Sequence, residues 1–259
     1  FRCKNFNQPR GSKFEGPNPE VVQIIKNIDQ FKTFKELPLV NSGCDTYASI
    51  YPEFKHLAQD VQAEQLAQDI VNLLPTKQWK HEHLVITGGE PLLGWQKAYP
   101  ILLEQPQMQN LTEITFETNG TQKLSSLLKE YLKTWTDKRS TSHRDGWDTL
   151  TFSVSPKLSI SGEAWNEAIK PDVVCEYEQY GFTYLKFVVA EQQDVDEAEE
   201  AVRLYQEAGF TGPVYLMPCG GTMEPYQMNA TEVAKLALKK GWRYSDRLQV
   251  PLFKNAWGT

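Results

Sequence analysis

Leu84-Val85-Ile86-Thr87-Gly88-Gly89-Glu90-Pro91-Leu92 is an apolar run that ends in two glycines, a carboxylate and a proline. A short apolar run bounded by glycine reads as a buried strand. A bare Gly-Gly step reads as a plain turn. With Glu-Pro directly behind it, the pair reads instead as backbone that a ligand can approach closely, because a residue without Cβ exposes its N–H and C=O. Further strands are predicted around this one: 83–87 itself, then 113–117, 149–154, 184–189, 214–217 and 248–253, rich in Val, Ile, Thr, Phe and Tyr. Helices are predicted between them, at 63–74, 122–132, 195–208 and 231–240. In 195–208, Val195, Ala198, Val202 and Tyr205 recur at three- and four-residue steps with glutamates opposite. Gly209 and Gly241 stand as helix stops. Strand–helix alternation of this kind predicts an α/β fold with a parallel sheet or barrel, its ligand loops at the strand C-termini.

Two stretches stand outside that alternation. Asn18-Pro19-Glu20 combines a capping amide, a proline at the first helical position and an acid in the first turn. Val21, Ile25, Ile28 and Phe31 continue it as an apolar stripe, predicting a helix over 18–37 that ends before Pro38. The segment 133–148, rich in Thr, Ser, Asp and Arg, is predicted to be a solvated surface excursion.

At 259 residues the chain is expected to form one domain, 1–259. Its net charge of −6 has the wrong sign for tracking a phosphate backbone, so no nucleic-acid partner is expected. No apolar run approaches the ~18 residues of a bilayer span, and no N-terminal signal is seen, so a cytoplasmic setting without membrane contact is expected. Four scattered cysteines, Cys3, Cys44, Cys175 and Cys219, make no disulfide framework. Cys175, behind Val173 and Val174, reads as a small buried hydrophobe.

The Thr87-Gly88-Gly89-Glu90-Pro91 stretch resembles the GGEP motif of the radical S-adenosylmethionine enzymes. In that family the motif's backbone receives the amino group of the methionyl moiety. The resemblance implies a [4Fe–4S] cluster on three cysteines, spaced C-x3-C-x2-C, with one iron left open for S-adenosylmethionine. Here Phe6, not a cysteine, stands three residues after Cys3. Gly43-Cys44-Asp45-Thr46 has the look of the third cysteine with its neighbours. Cys3 is therefore read as the second ligand and Cys44 as the third, with a helical insertion at about 4–43 between them. The first ligand and the first barrel strand are expected upstream of Phe1.

Cys44-Asp45-Thr46 further resembles the 7-carboxy-7-deazaguanine synthases, in which the threonine hydroxyl is a ligand of a catalytic Mg²⁺, a hard cation that takes oxygen ligands. Three more segments match that family in order: Phe116-Glu117-Thr118-Asn119-Gly120, Ser155-Pro156-Lys157 and Met217-Pro218-Cys219-Gly220. Arg247-Leu248-Gln249-Val250 and Asn255-Ala256-Trp257-Gly258 resemble its last strand and tail. The implied fold is a partial (β/α) barrel of the radical S-adenosylmethionine type, with the helical insertion in its cluster loop. The implied reaction converts 6-carboxy-5,6,7,8-tetrahydropterin to 7-carboxy-7-deazaguanine with loss of ammonia, S-adenosylmethionine being regenerated.

The site residues follow from the resemblance. Cys3 and Cys44 would hold the cluster, and Thr46 the Mg²⁺. Gly43, Asp45, Gly88, Gly89, Glu90, Ser155, Pro156, Lys157, Met217, Pro218, Cys219 and Gly220 would line the S-adenosylmethionine site, with Cys219 a contact or a bystander. Thr87 would touch the substrate; Glu117 and Asn119 would serve either ligand, Glu117 in the chemistry. The implied partners are the pterin, a flavodoxin- or ferredoxin-type electron donor and a second copy of the chain. Two rivals stay open: another radical S-adenosylmethionine enzyme (an activase or small-molecule mutase), and a cluster-less binding or regulatory protein on the same fold.

Overall fold

A computed structural model of the chain describes residues 1, 3, 18–44, 46–140 and 149–256. In chain order, α1 (Pro19–Lys26) is followed by short 3-10 turns and α2 (Ala63–Leu73). Then come β1 (Leu84–Ile86), α3 (Ala98–Leu103), β2 (Ile114–Thr118), α4 (Ser126–Ser140) and β3 (Leu150–Val154). The chain continues through α5 (Trp165–Ala168), α6 (Pro171–Tyr177), β4 (Phe182–Val189), α7 (Gln192–Glu207), β5 (Val214–Pro218), α8 (Met223–Lys240), β6 (Arg243–Tyr244) and α9 (Gln249–Phe253).

Among the described residues the sheet has six strands in the order β1-β2-β3-β4-β5-β6, every neighbouring pair parallel. Strand order that never reverses is the winding of a barrel, since a doubly wound sheet turns back at a switch point. The fold is therefore α/β, a partial (β/α) barrel.

Strand periodicity divides the sheet into two unlike faces. Ile114, Phe116, Leu150, Phe152, Leu185, Phe187 and Leu216 are wholly buried on one face. There Phe116 stacks on Phe152 at 5.7 Å, and Phe152 on Tyr177 of α6 at 4.7 Å, which puts the helices over this side. The alternate residues Thr87, Glu117, Tyr184, Lys186, Tyr215 and Met217 share the other face, and all keep some exposure. A parallel sheet covered on both sides reads as continuous apolar runs. The alternation in β4, Phe182 to Val189, instead marks a concave inner face left open to a ligand.

Several sequence expectations need correction. The predicted last strand, 248–253, is α9, because Pro251 would remove a ladder hydrogen bond from a strand yet loses nothing in a first helical turn. The surface excursion predicted at 133–148 is helix as far as Ser140. Leu128, Leu132 and Trp135 continue one buried stripe, and the Arg139 guanidinium lies over the Trp135 ring at 4.1 Å. Residues 141–148 lie outside the described residues. The helix predicted over 18–37 stops at Lys26 and gives way to 3-10 turns at Ile28–Gln30 and Phe34–Glu36. Its stripe is Val21 and Ile24, both buried, with Ile25, Ile28 and Phe31 packed against them. Helix α8 starts at Met223, well before the predicted Thr231. Cys175 is half-buried on α6, its Sγ 3.8 Å from the Tyr205 carbonyl.

The segment before β1 has an apolar core of its own. Val21, Ile24, Leu37, Val40, Tyr47, Tyr51, Phe54 and Leu57 pack together, joining α1 to the chain just after Cys44. Polar contacts close the same excursion. The Asn18 side chain caps Glu20 N at 2.8 Å and donates to Ser42 O at 2.7 Å. The Glu20 carboxylate accepts from Asn41 N (2.9 Å), Ser42 N (3.0 Å) and Ser42 Oγ (2.7 Å). The chain thus leaves near Asn18 and returns at Ser42, two residues before Cys44. Residues 4–17 of the predicted insertion, Phe6 among them, lie outside the described residues.

Candidate active site

The C-terminal ends of the strands gather most of the residues singled out from sequence. Cys3 is buried, and its N–H donates to Glu163 Oε1 at 2.9 Å, in the loop beyond β3. Burial pushes its thiol up to about 12. The Lys157 ammonium pulls the other way, and the Cys44 thiol and the Glu163 carboxylate add to the rise. Cys3, Cys44, Lys157 and Glu163 are thus close enough for their charges to act on one another. Cys44 Sγ lies 3.2 Å from Thr46 Oγ1. Lys157 donates to Ser155 Oγ at 3.1 Å, while Pro156 between them is buried. Asp45 lies outside the described residues.

Gly88 has φ +128°, and a Cβ built there would have no heavy atom within 4 Å. An L side chain would be strained in that conformation while facing open space. The residue is glycine for its backbone, which is bare to whatever approaches. A Cβ on Gly89 would sit 3.4 Å from Ser49 O, which places the glycine pair beside the turn that follows Thr46.

Glu90 holds this corner together. Its Oε1 accepts from Thr118 Oγ1 (2.7 Å) and Leu92 N (3.1 Å), and its Oε2 from Asn119 N (2.7 Å). The carboxylate clamps the end of β1 to the end of β2, leaving the backbone of residues 88–90 as the part free to meet a ligand. Glu90→Gln replaces an acceptor oxygen by an amide NH2 group that faces donors. It should cost about 1–3 kcal/mol, read as a lower urea midpoint at unchanged slope. Asn119 is similarly occupied: its Oδ1 accepts from Thr121 N (3.0 Å) and Thr121 Oγ1 (2.6 Å), fixing the turn after β2.

On the inner face, Thr87 Oγ1 lies 3.4 Å from Glu117 Oε2, and Lys186 Nζ donates to Glu117 Oε1 at 3.2 Å. Tyr184 and Tyr215 approach with ring centroids 4.9 Å apart. Arg243 donates to the Tyr215 hydroxyl at 2.8 Å. Nothing in the local motifs marks Lys186, Tyr184 or Tyr215. The signal for them is the two-residue period of β4 and β5, where Tyr184 and Lys186 alternate with Leu185 and Phe187, and Tyr215 stands between Val214 and Leu216.

The loop after β5 is built differently. Pro218, Cys219 and Gly220 are buried, and Met217 is half-buried. Cys219 N donates to Val189 O (2.8 Å), and Cys219 O accepts from Asn229 Nδ2 (2.8 Å). Gly220 O accepts from Arg247 Nη1 at 2.9 Å. A Cβ on Gly220 would come within 2.5 Å of Tyr226 N, so only glycine lets α8 start this close. This loop shares the strand-end rim with the others.

These groups can be compared with what the resemblance implies. Two thiols converge at Cys3 and Cys44, the soft ligand type an iron–sulfur cluster takes. Among the described residues no set of three His, Cys, Asp or Glu side chains is placed to hold a metal ion. Of the implied ligand set, the described residues include two thiols, Cys3 and Cys44, and the Thr46 hydroxyl. The bare backbone at Gly88 suits S-adenosylmethionine. Among the described residues no helix is long and apolar enough to cross a membrane.

Known proteins resemble this chain over most of its length. A protein of Halobacterium salinarum named 7-carboxy-7-deazaguanine synthase is 29% identical over 226 residues, 83% of this chain and 81% of its own length. The chain resembles the 7-carboxy-7-deazaguanine synthases along most of its length. The synthase of Rhodopirellula baltica is 28% identical over 226 residues, covering 83% of this chain and 75% of its own. That of Pyrobaculum aerophilum is 28% identical over 179 residues, 68% and 67% of the two chains. No family model matches the chain. No solved structure matches it either.

Proposed function

We propose that this protein is a radical S-adenosylmethionine lyase that converts 6-carboxy-5,6,7,8-tetrahydropterin to 7-carboxy-7-deazaguanine with release of ammonia. One observation carries the reading beside the likeness to the synthases. Cys3, Cys44 and Thr46, the bare Gly88 backbone and the Ser155–Lys157 pair stand at the rim of one concave face, whose floor is polar and aromatic.

When bound, the [4Fe–4S] cluster and S-adenosylmethionine supply the radical that removes a hydrogen from the substrate and returns it. The chain's own residues have narrower tasks. Cys3 and Cys44 would hold the cluster as thiolate ligands. Gly88 and Gly89 present backbone to the methionyl group, with Glu90 bracing the turn. Thr46 offers its hydroxyl to Mg²⁺. Tyr184 and Tyr215, their rings tilted 53° to one another, form an aromatic floor on which an edge or face of a bicyclic heterocycle rests. Glu117 accepts from ring N–H groups of the pterin, beside Thr87. A flavodoxin- or ferredoxin-type electron donor, a homodimer and a cytoplasmic setting belong to this reading.

The test is direct. Anaerobically reconstituted protein given reductant, S-adenosylmethionine, Mg²⁺ and the carboxytetrahydropterin should form 7-carboxy-7-deazaguanine without matching accumulation of deoxyadenosine. One deoxyadenosine per product would mean a consumed cofactor and a different reaction. The rival reading, a cluster-less binding protein on the same fold, predicts a protein that stays colourless after reconstitution. Thr46→Ala should cut Mg²⁺-supported turnover roughly 10–100-fold with iron content unchanged. Unaltered Mg²⁺ dependence in that variant would return Thr46 to a turn residue.

A further inference from the structure

Lys186 stands in the middle of β4, between Leu185 and Phe187, both wholly buried on the helix side. Its own side chain points to the inner face and keeps 14% of its exposure. The ammonium reaches past β3 to Glu117 on β2, at 3.2 Å. The crossing is possible because β3 presents Ser153 opposite Glu117 and Tyr184, a side chain too short to block the path.

An ammonium has three N–H donors. Glu117 takes one and is the sole protein acceptor of Lys186 among the described residues. The ammonium lies on the inner face, on the same strand face as Tyr184 and in register with Tyr215 of β5, with two donors left for a ligand. The Glu117 carboxylate is 41% exposed, so water screens its pair with Lys186 and the pair does little to stabilise the fold. The residue makes chemical sense as the counter-charge for an anion seated on the tyrosine floor.

We infer that Lys186 is a substrate-binding residue that recognises the carboxylate of the heterocyclic substrate. The inference rests on the proposed function for the identity of that substrate. Glu117 then serves two purposes. It holds the ammonium at the right depth, and its second oxygen, beside Thr87, meets donors on the ring. The lysine and the glutamate together read a molecule that carries an acid at one end and N–H groups at the other. A site built around such a pair disfavours an analogue lacking the acid, because the two donors that Glu117 does not take would be left unpaired in the complex.

Two fluorescent oxidised pterins serve as probes, pterin-6-carboxylate and 6-methylpterin, titrated into the reconstituted protein. The wild type should bind the carboxylate roughly 10–100-fold more tightly. Lys186→Met should erase that preference while leaving 6-methylpterin and S-adenosylmethionine affinities unchanged, and Lys186→Arg should restore most of it. The double variant Lys186→Met with Glu117→Gln removes both charges; it keeps the comparison possible should the single change unfold the protein, and it too should bind the two pterins alike. A wild type that binds both pterins equally, or a Lys186→Met variant that keeps the preference, overturns the inference and leaves the proposed function standing. Loss of S-adenosylmethionine binding instead would assign the ammonium to the cofactor's carboxylate and equally overturn it. Failure of the wild type to bind either pterin would overturn the proposed function, and the inference with it.

Discussion

Replacing Cys44 by alanine should leave the reconstituted protein with background iron and no charge-transfer absorbance, while Cys175→Ala and Cys219→Ala retain the wild-type content. The expectation follows from where the four thiols lie. Cys3 and Cys44 sense each other's charge beside Lys157 and Glu163. Cys175 is on α6 against Tyr205, and Cys219 is buried at the end of β5 with both backbone groups bonded. Iron–sulfur clusters need thiolates that converge on one point, and a methyl group offers no replacement ligand. The comparison among the three variants matters most. Iron lost equally in all three would indicate a general folding defect. Full iron in Cys44→Ala would remove Gly43, Cys44 and Thr46 from the active site.

A second large effect is expected deep in the helix-covered face. Phe152 is wholly buried, stacked on Phe116 on one side and Tyr177 on the other. It also holds β3 at the centre of the sheet, where β2 and β4 pair with it. Phe152→Ala should cost about 3–5 kcal/mol, since the surrounding rings cannot collapse into the cavity. In a chain of this size that lowers the melting temperature by roughly 6–10 °C. Calorimetry on the variant, beside Leu73→Ala at an 85% exposed position, checks it. A shift no larger than that of Leu73→Ala would mean that the aromatic stack is not what holds the centre of the sheet.

How far each part was legible in sequence depends on how local its cause is. Five of the six predicted strands stand where apolar, β-branched runs are bounded on one side or the other by glycine, proline or asparagine. The sixth failed because Pro251 outweighs the apolar character of its neighbours. Trp135 shows the opposite failure: charged and hydroxylated residues around it hid a helical stripe spread over several turns. The strand-end positions of Thr87, Gly88, Glu117 and Ser155 were legible because a parallel sheet delivers every strand's C-terminus to one rim.

The sequence by itself determined the α/β alternation, the glycine step at residues 88–89 and the order of the motifs along the chain. Each of these follows from side-chain period, backbone freedom or covalent order. Only the tertiary structure decided that Glu90 is a clamp between strand ends, that Cys3 comes to the loop beyond β3, and that the excursion from Asn18 closes at Ser42 beside Cys44. It alone brought Lys186 to Glu117 across an intervening strand. Those contacts join residues tens of positions apart, and their geometry is set by the register and curvature of the sheet, which no local stretch of sequence encodes.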